Sequence, residues 1–337
     1  MLILAGDIGG TSTRLAYFDA ADEKPKLLAM ERFPSREAGS LAELVARFAA
    51  AQGLSAERAC FGIAGPVQQG RVRTPNLPWS VEAAELARIL NLPVVDLIND
   101  LEANAYGIAF LAPEDLSVLN QGTPDPIGPI AVVSAGTGLG EALLYWDGTT
   151  YRTLPSEGGH ADFAPRNELE AELLLYLRAE HGRVSTERVV SGTGLRNIYR
   201  FLRDGRRLPE SPAVAEAMRK EDPSAVITRT ALAGVCPLCG QTLDLFVSLY
   251  GAEAGNVALR CLATGGVFLG GGIAPKIIER LLGPGFMQAF TAKGRLSPLM
   301  EKIPVRVILN DRSAILGACR YALLRVGAST CMDTPSA

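Results

Sequence analysis

No lysine in this chain directly follows a glycine, so the GxxxxGK[ST] phosphate loop is absent, and any nucleoside triphosphate must be held without a P-loop lysine. Histidine is scarce, with two residues in 337. His160 has a carboxylate, Glu157, three residues before it, but Pro155 and the intervening Gly158 and Gly159 make that stretch a loop rather than a helical face. With no second such pair, a metal site there is disfavoured. Six cysteines (Cys60, Cys236, Cys239, Cys261, Cys319, Cys331) are too sparse for a disulfide scaffold in a chain of this length, so reduced thiols are expected. Cys236-Pro237-Leu238-Cys239 lacks the second pair that a four-ligand zinc site requires and reads as a turn beside a helix. The formal net charge is only -3, and no dense run of Lys or Arg occurs, which argues against a nucleic-acid partner. Apolar Met1–Gly6 is too short for a membrane span, has no basic leader and runs into Asp7, so a cytoplasmic protein is expected.

What is present is a 48% hydrophobic chain long enough for one large or two medium α/β domains. Leu2–Gly6 reads as a buried strand, GDIGGT as a tight glycine turn and Arg14–Phe18 as a returning strand, followed by a strand near Leu27–Phe33. Ser40 to Glu43 has capping-box spacing, and Leu41, Leu44, Val45 and Phe48 then follow at helical spacing. Strands are also predicted at Ala59–Ala64 and Val94–Ile98, the second leading into Asn99-Asp100 and a helix through Phe110. After a Gly- and Pro-rich loop over Asn120–Pro129 the opening pattern returns: strand Ile130–Ser134, glycine turn AGTGLG, strand Ala142–Trp146. Tyr17-Phe18-Asp19 falls on Tyr145-Trp146-Asp147 and Gly10 on Gly138, an offset of 128 positions, which suggests a duplicated α/β unit. A helix within Leu243–Ala263, a strand at Gly266–Leu269 and a third glycine turn, Gly270-Gly271-Gly272, precede a helix near Pro275. A last helix over Ser313–Val326 is followed by a loose tail from Gly327 to Ala337.

Glycine turns at strand ends let backbone N–H groups converge on an anion, and two of them could cradle a triphosphate. GTGLG lacks GxGxxG spacing and joins two strands, which disfavours a dinucleotide fold. Asp7, inside the first turn, either faces phosphates through a divalent cation or bonds its own turn backbone. Asn99 and Asp100 stand at a strand's C-terminal end, where α/β ligand sites tend to lie; one reading is a general base, the other a helix cap. Glu157 and His160 suit sugar hydroxyls or a purely structural loop, His181 reads as a helix-end residue, and Glu187 is otherwise an ordinary first-turn residue.

GDIGGT (6–11), FGIAGPV (61–67), TPNLPW (74–79), IND (98–100), AGTGLG (135–140), SEGGHADFAP (156–165), STERVVSGTGL (185–195) and FLGGGIAP (268–275) run in order over nearly the whole chain. As a set they resemble the bacterial glucokinases typified by enteric bacteria. The resemblance implies a two-lobed actin-like ATPase fold, ribonuclease H-like, with duplicated α/β units and a central cleft. The small lobe would comprise 1–110 plus 311–337 and the large lobe 111–310. It further implies Mg²⁺- and ATP-dependent phosphorylation of D-glucose at the 6-hydroxyl, yielding glucose 6-phosphate and ADP for glycolysis, by a homodimer. Sugar contacts would come from Asn99, Asp100, Gly138, Glu157, His160 and Glu187, with Asp100 as catalytic base. ATP would contact Gly6, Asp7, Ile8, Gly9, Gly10, Thr11, Gly136 and Thr137 through its phosphates. Ser191, Gly192, Gly194, Gly271 and Gly272 would approach the nucleoside, and Asp7 would hold Mg²⁺ through water.

Ser12 stands where many relatives have Asn, and Asn310-Asp311-Arg312 replaces a His-Asp-Asn common in some; neither touches the sugar set. The cysteine cluster of the zinc-binding sugar kinases in the related repressor-and-kinase group is absent. Other readings on the same fold are a non-catalytic sugar or nucleotide sensor, a cytoskeletal or chaperone-like ATPase, and a hexokinase of broader sugar range.

Overall fold

A computed structural model describes residues 1–22, 24–74 and 77–325. Pro75 and Asn76 of the TPNLPW motif, Val326, Cys331 and the expected tail lie outside the described residues. The chain divides into two compact units, residues 1–113 with 310–325, and Glu114–Leu309.

In the first unit, β1 (Leu2–Ile8), β2 (Ser12–Asp19) and β3 (Lys26–Pro34) form an antiparallel meander. Strand β1 pairs in parallel with β4 (Arg58–Ile63), and β4 with β7 (Asp96–Asn99), so the sheet order is β3-β2-β1-β4-β7. Both faces are apolar, because alternate residues point to opposite sides. Leu4, Ile8, Leu15 and Tyr17 meet helix α1 (Leu41–Gln52), while Ile3, Ala5, Ala16 and Phe18 meet the C-terminal helix Ser313–Leu324. The expected cap on α1 is present: Ser40 Oγ accepts from Glu43 N at 3.2 Å, and Glu43 Oε2 accepts from Gly39 N at 2.9 Å. A short hairpin, β5 (Arg71–Arg73) and β6 (Ser80–Glu82), precedes helix α2 (Ala83–Leu90). Strand β7 covers Asp96–Asn99, two residues later than the apolar run suggested, and Asp100–Gly107 forms α3, whose last turn tightens to 3₁₀ over Ile108–Phe110.

The second unit repeats the arrangement. Strands β9 (Ile130–Ala135), β10 (Leu139–Trp146) and β11 (Tyr151–Ser156) form the antiparallel meander; β12 (Gly266–Gly270) and β13 (Val305–Ile308) extend it in parallel from β9. Strand β8 (Leu116–Asn120) closes the edge, giving β11-β10-β9-β12-β13-β8. Strand for strand, β1-β2-β3-β4-β7 and β9-β10-β11-β12-β13 share one order and one polarity, so the 128-residue offset marks a real duplication of a ribonuclease H-like unit. Two such units make the actin-like ATPase fold.

Helices α4 (Glu168–His181), α5 (Gly192–Arg200), α6 (Pro212–Lys220), α7 (Pro223–Leu232) and α8 (Pro237–Cys261) follow β11 in sequence. Cys236 immediately precedes α8 with Pro237 at its first position, so the Cys-Pro-Leu-Cys segment is a helix start, and both thiols are buried. The third glycine turn leads into a 3₁₀ turn, Ala274–Ile277, and a short α9 (Ile278–Leu281) rather than one long helix; α10 (Pro284–Thr291) and α11 (Ser297–Met300) complete the unit. Among the described residues no single helix is long and apolar enough to cross a membrane.

Candidate active site

In the first unit the GDIGGT segment supplies the end of β1 and the turn into β2. Gly6, Asp7 and Ile8 lie on the strand, and Gly9, Gly10 and Thr11 form the turn. The turn is tied down from three sides. Gly9 N donates to Ser12 O at 3.0 Å, Ser35 N to Thr11 O at 3.1 Å, and Ser35 Oγ to Gly9 O at 2.8 Å. Asp7 sits directly across from Arg14 in the β1–β2 register. Burial lifts its carboxyl from an ordinary value of 3.8 to about 6, opposed by Arg14 and reinforced by the negative charges of Asp100 and Asp311. Arg14 in turn grips Asp311, its Nη2 lying 2.7 Å from Asp311 Oδ2. Three carboxylates and one guanidinium therefore share this end of the sheet. Among the described residues no group of three acids, histidines or cysteines is close enough to ligate a metal directly. Carboxylates placed like these would suit a hydrated divalent cation, held through its waters.

Of the two roles that sequence reasoning left open for Asn99 and Asp100, the structure shows the helix cap. Asn99 is the cap of α3: its Oδ1 accepts from Leu101 N at 2.8 Å, and Glu102 Oε2 accepts from Asn99 N at 3.1 Å. Its Nδ2 donates to Gly65 O at 3.1 Å, tying it to the FGIAGPV loop. Asp100 is the first helical residue, so its carboxylate stands at the positive end of α3.

In the second unit the predicted residues converge on one peptide. Leu139 N donates to Glu187 Oε2 at 3.0 Å, and a Cβ on Gly138 would overlap that same oxygen. Opposite, a Cβ on Gly159 would overlap Leu139 O, so only glycine lets the Glu157–His160 loop lie this close. Glu157 and His160 are 70% and 59% exposed, with 3.9 Å between Oε2 and Nε2, open for a ligand. The loop is held by Thr186 N to Ala161 O at 2.9 Å and Arg183 Nη2 to His160 O at 2.6 Å. Beneath it lies buried Glu141, whose carboxyl is pushed up to about 7 by desolvation and by Glu253.

The remaining glycine segments assemble next to this peptide. Gly192 N donates to Gly136 O at 2.8 Å and Ile273 N to Ala135 O at 3.2 Å, so AGTGLG, the start of α5 and the third glycine turn are one backbone cluster. Gly271, at φ 81°, makes the turn that brings this about. A pocket of about 360 Å³ opens there, lined by Gly136, Thr137, Gly192, Thr193 and Gly272, with Arg196, Asp222, Pro223, Ser224, Ile273 and Lys276. Ser191 and Gly194 stand behind it: Ser191 Oγ caps α5 by accepting from Gly194 N at 2.9 Å. Helices α5 and α7 both begin at this pocket, so their positive dipole ends lie at it. A second pocket of about 420 Å³ shares Asp222, Ser224, Ile273 and Lys276 and adds apolar Leu195, Ala225 and Leu232. Sequence reasoning missed Arg196, Asp222, Ser224 and Lys276. Asp222-Pro223 does carry a readable helix start, an Asp cap followed by Pro at the first position, but nothing in its spacing shows that it faces the glycine turns.

The family profile described as Glucokinase matches residues 4–324. The glucokinase of Nostoc punctiforme is 44% identical over 336 residues, covering 95% of this chain and 98% of that protein. That of Salmonella typhi is 39% identical over 319 residues, covering 94% and 95%. A crystal structure of glucokinase from an Antarctic psychrotroph superposes with a TM-score of 0.85 at 33% identity, covering 96% of this chain and 99% of that one. Similarity of this extent over both units shows that the chain belongs to the glucokinase family.

Proposed function

We propose that the chain transfers the γ-phosphoryl group of ATP to the 6-hydroxyl of glucose. The observation that carries this reading is local to the second unit. Acceptors suited to sugar hydroxyls, Glu187 and the Glu157–His160 loop, flank the Leu139 peptide, and the glycine-lined pocket with its two helix N-termini begins at Gly136 and Thr137 of the same turn. A sugar and a polyanion therefore find their ligands one residue apart.

In this reading Asn99, Asp100, Gly138, Glu157, His160 and Glu187 bind glucose. Asp100 takes the proton of the attacking 6-hydroxyl. Gly6 to Thr11 and Gly136-Thr137 contact the phosphates, the glycines allowing close approach of the backbone. Ser191, Gly192, Gly194, Gly271 and Gly272 shape the nucleoside site, and Arg196 and Lys276 join them as cations facing the pocket. Asp7 holds magnesium through water, and the ion supplies neutralisation of the phosphate charge. A set of hydrogen-bonding groups matched to the hydroxyls rejects sugars that leave it unpaired, which favours glucose among hexoses. The enzyme acts in the cytoplasm as a homodimer and feeds glycolysis; these last assignments rest on the family resemblance.

The decisive experiment is ADP release from ATP and magnesium with a panel of hexoses, comparing the native protein with Asp100→Asn. Turnover on glucose that is lost in the variant, while glucose still binds, supports the reading. Binding of glucose without turnover in the native protein would make the chain a sensor, and turnover on mannose or fructose as fast as on glucose would make it a broad hexokinase.

A further inference from the structure

Glu141 belongs to none of the roles above. It lies on β10, paired in register with Ser156 of β11, and only 3% of its side chain is exposed. Its Oε2 sits under the Glu157–His160 loop so closely that a Cβ on Gly158 would overlap it, and Gly158 N is held by Ser156 Oγ at 2.9 Å. Its Oε1 accepts no hydrogen bond at all. An orphaned carboxylate oxygen in such a place is costly, but a protonated carboxyl with a neighbouring acceptor is not. The acceptor is present: Glu253 of α8 lies within hydrogen-bonding reach. Glu253 already serves as an acceptor, since Arg260 Nη1 donates to its Oε1 at 3.0 Å and Asn256 Nδ2 to its Oε2 at 3.0 Å.

We propose that Glu141 is a positioning residue for the glucose loop, acting as a neutral carboxylic acid that donates to Glu253 and gives Gly158 its seat, so that loss of its proton weakens glucose binding. The proposal rests on the reading that Glu157 and His160 bind the sugar. Two carboxylates side by side repel and draw in solvent or a cation, and the loop resting on one of them has no slack to absorb the change. The charged groups around the pair are few. Helix α8 supplies Glu253 and Arg260, the latter 3.8 Å from Glu141 Oε2. The segment after α10 supplies Lys293, bonded to Ala252 O at 3.0 Å and Asn256 Oδ1 at 2.6 Å, with Arg166 adding positive charge near that lysine. From above, the loop brings Glu157 and His160. Of these only Glu141 is both buried and without a donor, and its elevated proton affinity puts the transition near neutrality.

The test is the glucose KM of the native enzyme, Glu141→Gln and Glu253→Gln from about pH 6 to about pH 8.5, with thermal unfolding alongside. Gln at 141 keeps the shape and the donor of the protonated acid. The native KM for glucose is expected to climb about fivefold across this range while the KM for ATP stays level, and Glu141→Gln is expected to match the native value at the acid end and remain flat. Glu253→Gln, which removes the neighbouring charge, should move the inflection to lower pH. In unfolding, the native protein should lose several degrees relative to Glu141→Gln as pH rises through neutrality, a readout independent of sugar. Identical pH profiles in native and Glu141→Gln, or a raised KM in Glu141→Gln at the acid end, would overturn the proposal. Glu157→Gln separates the two readings: an unchanged glucose KM there sinks the sugar role of the loop, whereas a raised KM there with a pH profile indifferent to residue 141 sinks only the role of Glu141.

Discussion

Glu187 Oε2 receives the Leu139 amide at 3.0 Å across the bare Cα of Gly138. A methyl group at 138 has to displace that carboxylate, since the clash is with its oxygen and carbon together. Gly138→Ala is therefore expected to lower kcat/KM for glucose by roughly 10²-fold, the scale of a 1 Å misplacement of a binding group, while leaving the KM for ATP within about threefold. Steady-state kinetics with each substrate varied separately checks this, and equal damage to both substrates would count against the assignment of Glu187 to the sugar.

The division of labour between Asn99 and Asp100 predicts opposite kinds of loss. Because Asn keeps an oxygen that can accept from Leu101 N, as Asp100 Oδ1 does at 3.0 Å, Asp100→Asn should fold with near-native stability and lose about 10²- to 10⁴-fold in kcat, the range for a missing general base. Asn99→Ala should instead cost about 1 kcal/mol of stability, from the lost cap, with a glucose KM raised by release of the Gly65 tether. Unfolding midpoints measured beside turnover distinguish the two.

Asp7 predicts a trade of stability against activity. Its proton is bound more tightly in the folded state than in the unfolded chain, about 6 against 3.8, so the folded protein is fully stable with respect to this group below pH 3.8 and loses that stability as pH rises through 6. Asp7→Asn should then be more stable than the native protein above pH 6, by at most about 3 kcal/mol, with the advantage vanishing near pH 4. The same variant should need far more magnesium for turnover, or show none. A native protein and an Asn variant of equal stability at both pH values would contradict the burial of this carboxylate.

Lys276 and Arg196 face the glycine-lined pocket from the 3₁₀ turn after β12 and from α5. Lys276→Ala and Arg196→Ala are each expected to raise the KM for ATP by about tenfold, equivalent to one charge-assisted contact, without changing glucose binding measured in the absence of nucleotide. Isothermal titration with glucose alone provides the control.

These two cations also show where sequence reading stops. The glycine turns, the duplicated meander and the Ser40 cap were legible because each is a local pattern whose geometry follows from neighbouring residues. Asn99 and Asp100 were equally plausible caps from their types; both accept from Leu101 N, and the return bond from Asn99 N to Glu102 Oε2 is what marks Asn99 as the cap. Arg196, Asp222 and Lys276 stand on three different elements, and no spacing along the chain reports that those elements share a pocket. Glu141 was hidden for another reason. In the strand Leu139–Trp146 a lone carboxylate reads as a solvent-facing position, yet α8 covers that side and supplies Glu253 and Arg260. The helix expected near Pro275 is there, but it is divided into a 3₁₀ turn and a four-residue α-helix in succession, a division that apolar spacing does not report.

The helix that presents Asp100 depends on residues far from the site. A Cβ on Gly107 of α3 would overlap Ser313 O, and one on Gly317 of the C-terminal helix would overlap Ala103 O, so these two helices meet backbone to backbone. Ser313 Oγ and Asn104 Oδ1, 2.6 Å apart, pin the same crossing. Gly317→Ala cannot be accommodated by a side-chain rotation, because the atom it meets is a carbonyl. It is expected to cost about 1–3 kcal/mol, as overpacking does, and to lower kcat by shifting the start of α3. Gly240→Ala serves as the opposite case: it lies in α8 with nothing within 4 Å of the added carbon, so relief of glycine's backbone entropy should stabilise the protein by about 0.5–1 kcal/mol with kcat unchanged. If both variants shifted the unfolding midpoint in the same direction, close approach of the two helices would not be what those glycines provide.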